Sequence, residues 1–415
     1  MHIPINVERL NSELEQLALF SESPAPAVTR VVFSDTDRRA RAWLKERCVD
    51  AGLAIREDAV GNMFAVWKSA YADGPVIGTG SHIDAIPNAG RFDGTVGVLG
   101  GLEAIRGLKE AGFEPKLPIE LVLFTSEEPT RFGIGCLGSR LLSGTLDAGA
   151  ARDLRDADGK SLDELRNAAG FHGSLSGVRC APGYYAGFIE LHIEQGPFLE
   201  RAGIPVGVVT MIAAPASLRV VFEGEGGHAG AVLMEQRRDA LTAAAEIILT
   251  AENLARATRA ADAVATTGVC KVFPGAVNSI PSRVTLEIDV RDIDLARRDS
   301  MISAIRATAK AVGERRKVGF AIEVLNADAP AQCDAKLVGA LRCACTEEKV
   351  AFLEMVSRAY HDSLFMSRVA PTGMLFIPCR GGISHRPDEL ALPDDIALGA
   401  RVLARALTLI SREPA

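Results

Sequence analysis

The chain has 415 residues, a formal net charge of −7, and a composition that is 48% hydrophobic and 24% charged. This length predicts two domains with buried cores. The acidic balance argues against nucleic acid or an anionic membrane as the main partner, since both require a basic surface. The sequence contains no apolar run of the ~18 residues that cross a bilayer, and its first residues lack a signal-peptide pattern. The eight cysteines are scattered and form no zinc-ribbon pattern, so we expect a cytoplasmic protein.

Short apolar segments alternate with helical patterns in the first and last parts of the chain. The segments typical of buried strands are 75–81, 118–126, 187–196 and 372–378. Between the first two, residues 94–112 place apolar side chains three apart and end at a glycine, which predicts a helix. This alternation predicts an α/β fold with a mainly parallel, mixed sheet covered by helices.

The middle of the chain follows a different pattern. A strand near 217 is followed by a long helix near 235–260, two strands at 264–273 and 283–291, a helix near 295–313 and a last strand. We therefore expect residues 213–327 to form an α+β sandwich that is inserted into a larger domain, which residues 1–212 and 328–415 would make up.

Histidines and acidic residues occur where the predicted strands end. His82 and Asp84 close the segment 75–81, Asp93 follows in a glycine-flanked loop, and His192 and His385 lie in "LHIEQG" and "GGISHRPDE". Imidazole and carboxylate groups are the ligands that zinc and manganese accept. A single histidine on an apolar strand is more often an ordinary core residue. The joint pattern, at the strand ends where open α/β sheets place their sites, predicts a metal site.

The segment "LVLFTSEEPTRFG" ends an apolar run on two adjacent acids, Glu127 and Glu128, before Pro129. Consecutive residues that leave a strand point to opposite sides, so the two carboxylates can have different roles in one site. One could bind a metal while the other moves a proton. The alternative is a solvated acidic turn, which is the simpler interpretation of this segment when it is considered alone.

Six motifs occur in an order and spacing that resemble a known enzyme family. They are "GSHIDAIPNAGRFDG", "FTSEEPTRFG", "LHIEQGP", "GHAG", "NSIPSRVTLEIDVRD" and "GGISHRPDE". Together they resemble the hydantoinase/carbamoylase branch of the dinuclear-metal aminoacylase/carboxypeptidase superfamily, over nearly the whole chain. The resemblance implies two divalent metal ions, with manganese favoured and zinc, cobalt or nickel possible. The implied site residues are His82 and His192 on the first metal, Glu128 and His385 on the second, Asp93 bridging both, Glu127 as general base and Asp84 orienting His82.

The resemblance also implies a set of substrate-binding residues. They are Gln195, His228, Asn278, Arg291, Tyr360 and His361. Arg291 is the candidate for clamping a substrate carboxylate, although a strand-end arginine paired with Asp292 or Asp294 is an equally good interpretation. Asn278 and Gln195 could equally be ordinary turn and strand-end residues. The resemblance further implies that residues 1–212 and 328–415 form the catalytic domain and residues 213–327 a lid or dimerisation domain. It also implies a homodimer, in which His228 reaches the active site of its own or the neighbouring subunit.

The motifs "GHAGAVLM" and "SRAYHDSLFM" are most similar to members of the branch that act on ureidoglycolate. We therefore expect hydrolysis of the ureido C–N bond of a small ureido acid, with ureidoglycolate giving glyoxylate, ammonia and carbon dioxide. The alternatives are an N-carbamoyl-L-amino-acid hydrolase or an allantoate amidohydrolase, and then an aminoacylase or dipeptidase. A metal-retaining binding protein without activity is a further alternative, but the presence of Glu127 argues against it.

Overall fold

The structure, a computed structural model, describes residues 1–71 and 74–411. Contacts divide the chain into two compact units. The first consists of residues 1–210, 332–355 and 361–415, and the second of residues 211–331 and 356–360. The role of the second unit as a lid or dimerisation domain stays a prediction.

The first unit is built around a nine-stranded sheet. Its strands, in their order across the sheet, are Ala331–Gln332, Val206–Ile212, Thr372–Ile377, Tyr185–Ile193, Val76–His82, Ile119–Phe124, Met63–Trp67 and Ala54–Glu57, while Phe352–Ser357 pairs with Val206–Ile212. Two further strands, Val28–Arg30 and Ala85–Ala89, pair with each other. The helices are Val7–Ala18, Asp35–Asp50, Thr95–Glu110, Leu137–Ser143, Ala148–Arg152, Leu162–Ala168, Phe198–Ala202, Ala335–Glu347, Asp362–Met366 and Pro393–Ile410, with 3₁₀ turns at Leu175–Val178 and Arg380–Gly382.

Four parallel strands form the centre of this sheet. Three of them lead to site residues: the His82 strand (Val76–His82), the His192 strand (Tyr185–Ile193) and the glutamate strand (Ile119–Phe124), which precedes Glu127 and Glu128. The His82 strand pairs in parallel with the other two, and Thr372–Ile377 pairs in parallel with the His192 strand. The strands beyond this centre join it in antiparallel pairs. The expectation of an α/β fold with a mixed sheet is confirmed.

Burial explains why these segments form central strands. Nearly every residue of the three named strands is buried, as expected for parallel strands covered on both faces. Helix Thr95–Glu110 packs closely on the His192 strand at Gly97. A β-carbon at this position would lie only 2.3 Å from the Leu191 carbonyl oxygen. Gly94, just before this helix, lies beside the ends of two of the strands. A β-carbon there would be 2.4 Å from Nε2 of His82, and the N–H of Gly94 donates to Nε2 of His192 at 3.1 Å.

The second unit contains a four-stranded antiparallel sheet with two helices on one face. Its sheet order is Val264–Phe273, Arg283–Asp292, Ala214–Glu223 and Gly319–Ala327, and its helices are Ala240–Thr258 and Leu295–Arg316. A short pair, Gly227–His228 with Ser279–Ile280, and a 3₁₀ turn at Met234–Gln236 complete it. Alternate strand residues are buried under the helices. Among the helices of the described residues, none has both the length and the apolar character needed to cross a bilayer.

Candidate metal centre and active site

His82 and His192 end two neighbouring parallel strands, and both rings are buried. The Nδ1 atom of His82 lies 3.0 Å from the main-chain oxygen of Asp84, and that of His192 lies 2.9 Å from the main-chain oxygen of Ile193. A carbonyl oxygen can only accept a hydrogen bond, so both contacts favour the tautomer with the proton on Nδ1. In the neutral ring each Nε2 atom then carries the lone pair that a cation would bind, and that of His192 accepts the main-chain N–H of Gly94 at 3.1 Å. A ring that also carries a proton on Nε2 can instead donate it to Asp93.

Asp93 lies between these two histidines and a third. Its Oδ1 atom is 3.5 Å from Nε2 of His82 and 3.2 Å from Nε2 of His192. Its Oδ2 atom is 3.2 Å from Nε2 of His385. One carboxylate thus directs its two oxygens to different sets of imidazoles, which is the arrangement expected of a ligand shared by two cations.

A sharp bend after the glutamate strand places the two adjacent glutamates. Ser126 has a φ of 56°, in the left-handed region that non-glycine residues rarely adopt. The following N–H groups, of Glu127 and Glu128, donate to Oδ1 and Oδ2 of the buried Asp84 at 3.2 and 3.0 Å. The bend therefore turns an apolar strand directly into the acidic site, where Asp84 satisfies the N–H groups that the strand can no longer pair.

The two glutamates face different imidazoles, as their adjacent positions predict. Glu127 Oε2 lies 3.6 Å from Nε2 of His82, and Glu128 Oε1 lies 3.5 Å from Nε2 of His385. The thiol of Cys136 donates to the other oxygen of Glu127 at 3.3 Å. Glu127 is thus held from behind while its Oε2 atom faces the histidine cluster.

The geometry changes the role that sequence analysis gave to Asp84. Its nearest carboxylate oxygen is 3.7 Å from Nδ1 of His82, too far for a hydrogen bond. The main-chain oxygen of Asp84 makes the contact with His82 instead. The carboxylate holds Glu127 and Glu128, so Asp84 connects the first histidine to both acids.

Burial and the neighbouring charged groups together set the pKa values of this cluster, because burial penalises every charge and an opposite charge offsets that penalty. It raises the pKa of Glu127 well above its usual value, against the opposing effect of His82. Burial and the charge of Asp93 raise the pKa of Glu128 to about 7. Burial would also raise the pKa of Asp93, but hydrogen bonds from its three histidines hold it well below the usual range. The hydrogen bond to Asp93 raises the pKa of His385 to about 9, although burial opposes this shift.

The donor atoms fit divalent cations. Within the described residues, His82, Asp93 and His192 offer ligand atoms within 4.8 Å of one another, and so do Asp93, Glu128 and His385. Mixed imidazole and carboxylate sets suit zinc and manganese. The two groups share Asp93, and its role as a bridge between two cations stays a prediction. A third group, Glu190, His192 and His361, fits less well, because Glu190 already accepts hydrogen bonds from Ser81 and Ser363.

Two of the expected substrate-binding residues lie beside these ligands. Gln195 has a φ of 55°, and its Nε2 atom donates to Oδ2 of Asp93 at 2.7 Å. Its Oε1 atom is buried and has no hydrogen-bond partner among the described residues. The buried ring of His361 packs edge-to-face on His192, with ring centroids 4.6 Å apart. Both residues contact the candidate metal ligands Asp93 and His192 directly, and their contact with substrate stays a prediction.

The other four expected substrate-binding residues belong to the second unit. His228 is exposed and pairs in strand register with Ser279, and the carbonyl oxygen of the exposed Asn278 accepts the N–H of Ala229. His228 and Asn278 therefore lie close together. The hydroxyl of Tyr360 donates to the carboxylate of Asp328.

Arg291 does have an acidic partner, but not one of the two that the sequence suggested. Its Nε atom donates to Asp289 at 2.7 Å, and its Nη1 atom donates to the carbonyl oxygen of Arg358 at 3.2 Å. Residues two apart on a strand share a face, which explains the choice of Asp289. Asp292 instead binds Arg297.

Sequence reasoning missed residues that support the site from behind. Cys136 contacts Glu127, and the buried Glu389 accepts the N–H groups of Phe92 and Asp93. Glu389 stands in the motif that contains His385, which was the only available signal. Its partners are 296 and 297 residues away in the chain, a separation that sequence periodicity does not span.

Comparisons with known proteins agree on one family. The sequence pattern of peptidase family M20/M25/M40 matches residues 78–409. The ureidoglycolate hydrolase of Arabidopsis thaliana is 48% identical over 99% of this chain and 87% of its own length. An N-carbamoyl-L-amino acid amidohydrolase of Geobacillus stearothermophilus is 38% identical over 96% of this chain and 97% of its own. The crystal structure of AtUAH in complex with glyoxylate is 48% identical and matches with a TM-score of 0.92 over 99% of both chains.

Cation binding should release a proton from His385. Its pKa of about 9 means that it is protonated at pH 8 in the metal-free protein, and a ligating imidazole must be neutral. At pH 8 the variant His385→Ala should therefore release about one proton fewer than the wild type, and the difference should shrink as the pH rises above 9. Calorimetric titration in buffers of different ionisation enthalpy measures this number.

The exposed His172 supplies the matched control, since His172→Ala should release as many protons as the wild type. Equal proton release from wild type and His385→Ala at pH 8 would show that His385 is not a ligand.

Proposed function

The chain belongs to peptidase family M20/M25/M40, and from this membership and the geometry of its site we propose that it hydrolyses the ureido C–N bond of ureidoglycolate. The observation that carries the chemistry is the sharing of Asp93 between two ligand groups with Glu127 at their side. The 48% identity to a ureidoglycolate hydrolase over 99% of the chain supports the choice of substrate.

We propose two divalent cations per chain, with manganese favoured over zinc, cobalt and nickel. His82 and His192 would hold one, Glu128 and His385 the other, and Asp93 both. Cations held there would supply Lewis acidity, which lowers the pKa of water and polarises a carbonyl group. Positive charge beside Glu127 would also favour its ionised form, against the effect of burial.

Glu127 acts as the general base. Its Oε2 atom faces the cluster while Cys136 donates to its Oε1 atom, so a single oxygen is oriented to receive a proton. The carboxylate takes a proton from the attacking water and passes it to the leaving nitrogen. Cleavage releases ammonia and leaves an N-carboxylated product, which loses carbon dioxide to give hydroxyglycine. Hydroxyglycine then breaks down to glyoxylate and a second ammonia.

We propose that the remaining residues hold the substrate. Arg291 would bind the carboxylate, with Asn278, Gln195 and His228 on the other polar groups. Tyr360 and His361 would limit the pocket to a small hydroxylated acid. Arg291 already donates to Asp289, and this contact orients the guanidinium group of Arg291. The substrate carboxylate would either compete with Asp289 or bind the guanidinium group in addition to it.

A homodimer, in which His228 completes its own or the neighbouring site, and a cytoplasmic location are also part of the proposal. The homodimer rests on the family resemblance, and the cytoplasmic location rests on the scattered cysteines of the sequence.

Substrate choice is tested by offering manganese-loaded protein ureidoglycolate, allantoate and N-carbamoyl-amino acids in parallel. The proposal predicts the highest kcat/KM for ureidoglycolate, with two ammonia molecules released for each glyoxylate. The second candidate function is that of an N-carbamoyl-L-amino-acid hydrolase, which the 38% identity to an N-carbamoyl-L-amino acid amidohydrolase supports. A preference for an N-carbamoyl-amino acid would favour this candidate. It would also remove the role proposed for Tyr360 and His361.

The variant Glu127→Gln should lower kcat by about 10²- to 10⁴-fold, because the amide cannot take up a proton. Metal content should not change, since Glu127 is not one of the proposed ligands. The exposed Glu46 gives the control variant Glu46→Gln, which should match the wild type in both measurements. If Glu127→Gln kept its turnover, another group would have to be the base.

The variant Arg291→Ala should raise KM for ureidoglycolate by about 30-fold, the effect of losing a charge-assisted contact worth about 2 kcal/mol. Metal content and kcat should change little. Arg283 lies on the same strand and is exposed, so Arg283→Ala controls for the loss of a positive charge. An equal rise of KM in both variants would contradict the proposed clamp.

A further inference from the structure

Glu389 is a buried acid with no role in the chemistry described so far. Only 4% of its surface is exposed. Its Oε1 atom accepts the main-chain N–H groups of Phe92 and Asp93, at 2.8 and 3.2 Å. Its Oε2 atom lies 2.8 Å from the hydroxyl of Ser384. One side chain thus binds the loop that carries Asp93 and the residue that precedes His385.

The hydroxyl of Ser384 extends this contact to the metal ligand itself. It lies 3.0 Å from Oδ2 of Asp93, between two carboxylates that compete for its single proton. Gln195 donates to the same Oδ2 atom at 2.7 Å. The orientation of Asp93 is therefore set from its main chain by Glu389 and from its side chain by Ser384 and Gln195.

The backbone near Asp93 leaves space for Glu389. A β-carbon at Gly90 would lie 2.3 Å from the Cβ, Cδ and Oε1 atoms of Glu389. Any larger residue at position 90 would therefore displace the carboxylate from the two N–H groups that it accepts. Glycine at this position is a second, independent observation that the loop is built around Glu389.

We propose that Glu389 is a positioning residue that fixes the loop of Asp93 against the loop of His385, so that both ligands are held in place for the cations. Without this carboxylate, two buried N–H groups would lack an acceptor, which destabilises a buried loop. His385 has a φ of 58°, so its loop also depends on contacts that hold an uncommon backbone conformation. The inference rests on the proposed ligand roles of Asp93 and His385, but not on the identity of the substrate.

Two substitutions of Glu389 distinguish the effect of its hydrogen bonds from the effect of its charge. In Glu389→Gln, the amide oxygen can still accept both N–H groups, and the amide nitrogen can donate to Ser384, which remains free to donate to Asp93. In Glu389→Ala, every one of these contacts is lost. If Glu389 acts by positioning the two loops, Glu389→Gln should preserve manganese binding and Glu389→Ala should weaken it.

The test measures manganese binding to metal-free protein by calorimetry, for wild type, Glu389→Ala, Glu389→Gln and Gly90→Ala. Loss of a residue that supports metal ligands typically weakens metal binding 10- to 100-fold, and we expect about this loss in Glu389→Ala and Gly90→Ala. Glu389→Gln should stay within about threefold of the wild type, because its hydrogen bonds remain. The exposed Asp388 gives the control variant Asp388→Asn, which should bind manganese as the wild type does.

Hydrogen exchange of the segment 88–96 gives a readout that needs neither metal nor substrate. The amides of Phe92 and Asp93 should exchange faster in Glu389→Ala and Gly90→Ala, and at the wild-type rate in Glu389→Gln. If Glu389→Ala fails to fold, Gly90→Ala and Glu389→Gln carry the test by themselves.

Wild-type manganese binding in Glu389→Ala or in Gly90→Ala would overturn the inference. A loss in Glu389→Gln as large as that in Glu389→Ala would also overturn it, since charge rather than position would then be responsible. If these binding results hold while ureidoglycolate is not hydrolysed, the proposed function fails and the inference about Glu389 stands.

Discussion

Buried negative charge at one edge of the central sheet is the constraint on which the rest of this site depends. Asp93, Glu127 and Glu128 are each at most 8% exposed. Removing a carboxylate from water costs several kcal/mol unless an opposite charge compensates. Around these acids the structure places His82, His192 and His385, whose nitrogens can carry protons or bind cations. The surroundings thus explain why an apolar strand can end on two adjacent acids.

The main chain is held by the same kind of group that forms the site. Asp84 accepts the N–H groups of Glu127 and Glu128, and Glu389 accepts those of Phe92 and Asp93. In both cases a buried carboxylate binds two consecutive N–H groups at a bend that carries functional side chains. Such a contact fixes the direction of the chain and gives each acid the hydrogen bonds that its burial requires.

The sequence predicted the features that arise from local patterns. Continuous apolar runs predicted the central parallel strands, and the spacing in 94–112 predicted helix Thr95–Glu110. The placement of histidines and acids at strand ends predicted which side chains would meet, because parallel strands end at one edge. The antiparallel strands that flank the centre were not predicted individually, since their short segments carry weak patterns.

Long-range contacts were beyond sequence reasoning. The carboxylate of Asp84 was expected on His82, but it binds N–H groups 43 and 44 residues further along the chain. The sequence around Asp84 does not show whether its carboxylate binds the His82 ring or these N–H groups. The N–H groups are available because Ser126 adopts a left-handed conformation, which is not visible in the sequence. The partner of Arg291 was misjudged for a simpler reason: the alternation of faces along a strand favours Asp289 over Asp292.

The most direct test of the account is to measure ammonia release from ureidoglycolate as metal-free protein is loaded with known amounts of manganese. If the buried acids work only as a bridged two-cation site, activity should be absent without metal and reach its full value at two bound ions per chain. Full activity in rigorously metal-free protein, or a plateau at one bound ion, would contradict it.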